Sequence, residues 1–418
     1  MPQPSSTLVF GLNYPPETTG ISPYTGAMSI GLARRGHRVR ALVAHPHYPD
    51  WDVLPGYGQW SRRENVDGVV VERLLHFVPR RPSPVPRALS EITFGVRQIF
   101  VRWGRPSALV AVSPALLSSA LVRLRSLVTH RRTPFVVWVQ DLYALGVVET
   151  GQGGGVTVRV LRRIEAWLLR SASKVVVIHD RFADRVHEDF GVPRDRIAVV
   201  RNWTHLAALP PVNISEVRRR LGWRTDECVV VHTGNMGVKQ GLHHVVDAGR
   251  LSLSRGENVR FVLVGNGAQR DDLQQRIDAA PTSTMIVPPL DDQAFAEVLQ
   301  AADILLVNEL PGVSEMAVPS KLTSYFASGR PVLAATDAAG ITAQEVVAAE
   351  AGIAVAAGNP AALLEGVRQL TSDSAMSQRL GENGKRYRET VLDETSAIDR
   401  FDSLLADLTA RTGEKRSS

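Results

Sequence analysis

Only one of the 418 residues is a cysteine, Cys228, and only five of the 48 basic residues are lysines. A single thiol excludes an internal disulfide framework and fits a reducing cytoplasm. Cys228 lies in the apolar run Cys228-Val229-Val230-Val231, so it reads as a buried strand residue and not as a nucleophile. No uninterrupted apolar run approaches the ~18 to 20 residues that span a bilayer. The first six residues lack the basic start, apolar stretch and cleavage pattern of a secretion signal. There is no zinc-ligand spacing, helix-turn-helix cue or aromatic-rich RNA-binding signature, so no nucleic-acid partner is expected. A nicotinamide fingerprint is missing too. Gly11 stands alone after the first apolar run, and the second run leads into Ala44-His45-Pro46-His47-Tyr48-Pro49 where an acid would be needed. The acidic pair Asp291-Asp292 reads as a solvated turn.

A chain of this length exceeds one ordinary core and predicts two domains of about 200 residues. Short β-branched runs alternate with helical stretches at 8–12, 38–43, 69–74, 109–112, 135–139, 174–178 and 197–200. They resume at 229–232, 261–264, 285–287, 304–307, 332–334 and 353–356. Near-continuous apolar strands separated by helices predict parallel sheets covered on both faces, hence two doubly wound, Rossmann-like α/β domains, 1–205 and 206–394. The linker is 204–213, with Pro210-Pro211 and no periodicity. Charge divides along the same line. Residues 1–205 hold 27 Lys and Arg against 15 Asp and Glu, whereas 206–418 hold 21 against 27. The two halves should attract different partners.

Open parallel sheets bind ligands beyond the carboxyl ends of their strands, so the loops there carry the chemistry. Two of the five lysines fall in such places. Lys239 lies in Thr233-Gly234-Asn235-Met236-Gly237-Val238-Lys239-Gln240-Gly241, and Lys321 in Pro319-Ser320-Lys321-Leu322, where Ser320 caps a helix that Gly329 and Pro331 end. Each segment delivers backbone N–H groups and one ammonium to a helix start, a design suited to phosphate. A lysine in a first helical turn opposes the helix dipole by ~0.3 to 1 kcal/mol, which a bound anion would offset. In the first half, Gly20 precedes Ser22, an expected N-cap, and Pro23. Gly265-Asn266-Gly267 is a tight turn fit for a nucleotide.

With Leu263-Val264-Gly265-Asn266-Gly267, Ala302-Asp303 and Tyr325-Phe326-Ala327-Ser328-Gly329-Arg330-Pro331-Val332, these segments resemble glycosyltransferase family four. The first half adds Tyr14-Pro15-Pro16-Glu17, Arg35-Gly36-His37-Arg38-Val39, His45-Pro46-His47-Tyr48-Pro49, Gln140-Asp141, Ile178-His179-Asp180 and Asn202-Trp203. The pattern is most similar to the bacterial branch that builds capsule, exopolysaccharide and O-antigen, including N-acetylfucosaminyltransferase-like enzymes. The resemblance implies a GT-B fold with two domains facing a cleft. It also implies metal-independent, retaining transfer from a nucleotide sugar with no cofactor, donor on the C-terminal domain, acceptor on the N-terminal one, and a last helix, 395–409, packed back on the latter. On the donor side it implies Gly20, Gly234, Asn235, Gln240, Gly265, Gly267, Ser320 and Leu322. On the acceptor side it implies Glu17, Thr19, His47 and His179. Lys239 and Lys321 would stabilise the leaving diphosphate.

The chain departs from the family pattern in four places. Asn235 and Gln240 stand where Arg and Lys are usual, Ser324 replaces the second glutamate of the E-x7-E pair, and Gln140-Asp141 replaces His-Asp. Glu309 and Glu315 are the substitutes for sugar and ribose contacts, and Asp141 for taking the acceptor's proton. These departures leave two alternatives, a degenerate nucleotide-sugar-binding scaffold and a nucleotide-sugar epimerase. Residues 79–105 carry six arginines and one acid, Glu91, with Leu89, Ile92, Val96, Ile99, Phe100 and Trp103 at helical spacing. The stripe suits either a helix docked on an anionic membrane near a polyprenyl-diphosphate-linked acceptor, or a helix packed on its own sheet.

Overall fold

The computed structural model describes residues 5–17, 20–81, 83–143, 155–203, 210–312 and 321–417, with side chains described to 411. Tertiary contacts divide the chain into a first unit, residues 1–205 with 394–418, and a second, residues 206–393.

In the first unit the order is β1 (Ser6–Gly11), α1 (Ser22–Arg34), β2 (Arg38–Ala44), β3 (Ser61–Val66), β4 (Val69–Leu74) and α2 (Pro84–Phe100). Then come β5 (Ala108–Val112), α3 (Leu116–Thr129), β6 (Phe135–Val139), α4 (Gly155–Ser171), β7 (Lys174–Val177), α5 (Asp180–Glu188) and β8 (Ile197–Val199). The sheet order is β3-β4-β2-β1-β5-β6-β7-β8, parallel except for β3, which pairs antiparallel with β4 at the edge. That strand was not expected. Its sequence, SRRENV, has no buried residue, because an edge ribbon open to water needs no apolar run. Ser22 is also not an N-cap. It lies inside α1, and its hydroxyl donates to the carbonyl of Glu17 at 2.8 Å, holding the preceding loop against the helix start.

The second unit runs α6 (Ile214–Arg220), β9 (Cys228–Asn235), α7 (His243–Ser254), β10 (Val259–Asn266), α8 (Arg270–Ala279), β11 (Thr284–Val287) and α9 (Asp292–Ala301). It continues with β12 (Ile304–Asn308), α10 (Lys321–Ser328), β13 (Val332–Thr336), α11 (Ile341–Ala348), β14 (Gly352–Ala356), α12 (Pro360–Ser372) and α13 (Ser374–Thr390). Its six strands, ordered β11-β10-β9-β12-β13-β14, are all parallel and carry core on both faces. Asp291 is an N-cap and not a solvated turn, its carboxylate accepting the N–H of Ala294 at 2.8 Å. Burial raises the Cys228 thiol, as inert strand packing requires. Asp303 accepts from Val229 N–H at 2.8 Å and from Arg218 at 2.9 Å, so the Ala302-Asp303 signature fastens β9 to α6.

The last helix, α14 (Glu394–Ser417), belongs to the first unit. Asp399 pairs with Arg35, Asp402 with His37 at 2.5 Å, and buried Phe401 meets the Trp138 ring at 4.8 Å. Gly31 makes the close approach possible, since a Cβ there would lie 2.4 Å from Ile398.

Candidate active site

In the second unit the chemistry gathers at the carboxyl end of β9. The register of β9 and β10 sets Gly234 opposite Gly265 and Asn235 opposite Asn266. The strands close tightly there. A Cβ on Gly265 would lie 2.0 Å from the carbonyl oxygen of Gly234, at φ +145, so only glycine fits. Gly267 is equally confined, against Asn235 and the N–H of Met236.

Lys321 opens α10 and sends its ammonium back over this turn. Its Nζ is 3.3 Å from Nε2 of His232 and 3.8 Å from where a Cβ of Gly234 would stand. His232 is fully buried in β9 and its Nδ1 lies 3.0 Å from the carbonyl of Leu306. The Nδ1–H therefore donates to that carbonyl, leaving Nε2 as an acceptor for the ammonium. Burial, and next the nearby Lys321 charge, holds the imidazole well below its ordinary pKa, consistent with a neutral ring. Burial also lowers Lys321, to about 8, against the pull of Glu309. Glu309 is raised by burial, while the hydroxyl of Thr342 donates to it at 2.7 Å. Tyr325, one turn along α10, accepts from Thr233 N–H at 2.8 Å and fixes the helix against β9.

The other donor-side residues divide. Asn235 is exposed beside this turn. Lys239 is partly buried in the turn that follows, where its carbonyl accepts from Leu310 N–H at 2.8 Å. Gln240 spends its side-chain oxygen on the N–H of Gly237, so it shapes the loop and offers a ligand less than expected. Leu322 is completely buried, leaving only its backbone to contribute. Glu315 and Ser320 lie outside the described residues, as does Thr19.

The first unit holds a cavity of about 440 Å³ at the carboxyl ends of its strands. It brings together Gly20, His47 and Asp141 with residues that the sequence did not assign to a site, namely Tyr48, Trp51, Arg87, Glu91 and Tyr143. Glu17 is not among them. Its carboxylate accepts from the N–H groups of His47 and Tyr48 at 2.8 and 2.9 Å and from Asn13 at 2.9 Å, so it clamps the loop after β2. His179 caps α5 by accepting from Arg181 N–H, and Gln140 is buried against Asn202 at 2.7 Å. Neither of the last two lines the cavity. Among the described residues no group of three His, Cys, Asp or Glu is placed to hold a metal ion.

Glu91 is the principal omission. Its carboxyl accepts from Leu117 N–H at the start of α3 at 2.8 Å and bonds the Tyr143 hydroxyl. Burial nevertheless lifts it to about 7. The available signal was polar: Ser90, Glu91 and Gln98 form the buried face of α2, together with Phe94 and Gly95. The apolar stripe instead faces outward, with Val85 79%, Phe100 81% and Leu89 47% exposed. Trp103 does not belong to it, being buried against Phe10 at 4.8 Å, and Arg97 turns back over the Trp60 ring at 3.5 Å.

The chain matches the model of the Glycosyl transferase 4-like domain over residues 19–203 and that of Glycosyl transferases group 1 over residues 213–387. It is 29% identical over 411 residues to the "Putative colanic acid biosynthesis glycosyl transferase WcaI" of Escherichia coli (strain K12), covering 94% of this chain and 98% of that one. Among solved structures, sucrose-phosphate synthase from Thermosynechococcus elongatus superposes with a TM-score of 0.74 at 18% identity, over 97% of this chain and 100% of that one. Anabaena HepE in complex with UDP gives 0.70 at 15% identity, over 96% and 100%.

Proposed function

We propose that this glycosyltransferase of the GT-B type, built from a glycosyl transferase 4-like domain and a glycosyl transferases group 1 domain, moves a sugar from a nucleotide diphosphate, UDP in the first instance, to a hydroxyl of a lipid-linked saccharide in cell-surface polysaccharide synthesis. The second unit takes the donor and the first takes the acceptor. One observation carries the reading: a lysine ammonium, held by a buried neutral histidine, lies over a glycine turn at the carboxyl end of a parallel strand. That arrangement suits a departing diphosphate. The acceptor oxygen forms its bond to the anomeric carbon as the bond to the diphosphate breaks. The electron pair leaves with the diphosphate beside Lys321, and the hydroxyl proton passes to Asp141. Anomeric configuration is retained and no metal takes part in this scheme.

The outward face of α2 supports contact with an anionic membrane. Val85, Leu89, Ile92, Val96 and Phe100 are exposed along it, Arg80, Arg81, Arg102 and Arg105 are exposed around it, and Glu91, the one acid of that stretch, points inward. Each such arginine contributes ~1 kcal/mol near an anionic leaflet. Among the described residues no helix is long and apolar enough to cross a membrane.

A thermal-shift panel of UDP, GDP and dTDP, followed by transfer assays with the matching sugars and lipid-linked acceptor, tests the function. A nucleotide present at 100 times its Kd should add ~2.7 kcal/mol of stability. Absence of both binding and transfer across the panel sinks the reading. Tight binding without turnover, unchanged in Asp141→Asn, would favour the scaffold alternative.

A further inference from the structure

We propose that the carboxylate of Glu91, fixed in the cavity wall by Leu117 and Tyr143, accepts a hydrogen bond from one hydroxyl of a pyranose acceptor and so determines which acceptor sugar is used; this rests on the transferase reading above.

The cavity has the size of an ordinary small-molecule site. Its wall presents three aromatic rings, Tyr48, Trp51 and Tyr143, with the Arg87 guanidinium 5.1 Å over the Trp51 ring. Such faces suit the C–H surface of a sugar, while orientation must come from a few polar groups. Three of them are buried, His47, Ser90 and Glu91, and Glu91 is the carboxylate among these. A carboxylate offers about four acceptor positions, and Leu117 N–H and the Tyr143 hydroxyl occupy two. The remaining capacity lies in a cavity wall, where an unmet charge is costly and a further donor offsets the cost. Burial raises the group to about 7, because the Leu117 and Tyr143 bonds and the Arg87 charge do not fully offset its loss of water.

The groups that act on this carboxyl are Arg87 on its own helix, Leu117 N–H of α3 and Tyr143 of the segment after β6; Asp141 shares the cavity wall, and Glu165 of α4 accepts from Tyr143 N–H at 2.8 Å. His47 of the loop after β2 shares the wall, and His76 stands behind it with ring centres 5.2 Å apart. Because the sugar hydroxyl donates, it favours the ionised carboxylate. Acceptor KM should fall about tenfold between pH 6 and pH 8, the range over which a group near 7 ionises.

The experiment uses the full chain with octyl glycosides of glucose, galactose, fucose and N-acetylglucosamine as acceptors, measuring transfer and, separately, calorimetric binding. Glu91→Gln should raise the acceptor KM and Kd at least tenfold, leave the donor KM near wild type, and flatten the pH dependence. Tyr143→Phe should shift the same constants in the same direction. An unaltered acceptor constant and pH profile in Glu91→Gln, or an equal loss of donor and acceptor affinity with a lowered Tm, overturns the proposal. So does a wild-type protein that binds none of the four glycosides. A wild-type protein that binds glycosides but transfers from no donor overturns the transferase reading instead.

Discussion

Lys321 makes nucleotide binding depend on pH in a calculable way. Its ammonium stands at about 8 where 10.5 is ordinary, a loss of about 3 kcal/mol in preference for the charged form. A phosphate within ~4 Å interacts with a unit charge by ~4 kcal/mol at an effective dielectric of 20, enough to return the lysine to its ordinary range. The pKa is thus lower in the free protein than in the complex. Affinity is fully present below about 8 and falls about tenfold per pH unit above it, until the pKa of the complex is reached. The terminal phosphate does not confuse the signal, because its ionisation near 6 is complete at these pH values.

UDP should therefore bind about tenfold more weakly at pH 9 than at pH 7. Calorimetry in two buffers of different ionisation enthalpy should show uptake of about 0.9 proton per UDP at pH 9 and about 0.1 at pH 7, the fractions left deprotonated by a group near 8. Lys321→Met removes the slope and weakens binding at pH 7 about 100-fold, the equivalent of about 3 kcal/mol. Equal affinity at pH 7 and 9 without proton uptake, in protein whose circular dichroism is unchanged, would refute the assignment of this ammonium to the diphosphate.

Gly265→Ala places a methyl 2.0 Å from the carbonyl of Gly234 at a φ that alanine rarely adopts; the expected result is loss of several kcal/mol of stability in urea titration, or loss of nucleotide binding if the turn yields. Phe401→Ala empties a fully buried site against Trp138 and should cost about 3 to 5 kcal/mol, exposing α14 to limited proteolysis. Leu89→Asp with Phe100→Asp, both on the exposed face of α2, should abolish co-sedimentation with phosphatidylserine vesicles and leave Tm within a few degrees of wild type. Glu91 titrates near 7 when folded and near 4.5 when unfolded, so between those values the folded state binds more protons and stability falls as pH rises; Glu91→Gln removes about 3 kcal/mol of that decline in denaturation from pH 4 to 8.

How much of this the residues disclose depends on whether the causes are local. Alternating apolar runs betray both sheets, because a strand covered on two faces has few positions for polar residues, and β3 escapes since its edge position imposes no such demand. Lys321 is legible from its place at a helix start, whereas His232 is hidden in the apolar run of β9. Only its Nδ1 bond to the Leu306 carbonyl of the neighbouring strand leaves Nε2 toward the lysine. Glu17 misleads for the opposite reason: a carboxylate just after a strand suggests a ligand, yet two backbone N–H groups thirty residues away claim it.

The orientation of α2 is the hardest case, because its stripe is apolar enough to suggest burial and its polar residues are the ones buried. What decides is contact with α3. A Cβ on Gly95 would lie 2.8 Å from Cα of Ser118, so the helices meet where both side chains are small, and this crossing carries Glu91 to the N–H of Leu117. Gln98 donates to the Leu42 carbonyl at 3.1 Å, and Arg125 of α3 donates to the carbonyls of Ile99 and Val101 at the end of α2. Directional bonds of this kind, ~1 kcal/mol each and more where a charge takes part, hold the helix in one rotation about its axis. That rotation leaves Val85, Leu89, Ile92, Val96 and Phe100 uncovered. Turning α2 over to bury them would strand a carboxyl, an amide and several carbonyls, so the outward apolar face is the less costly arrangement even before any partner meets it.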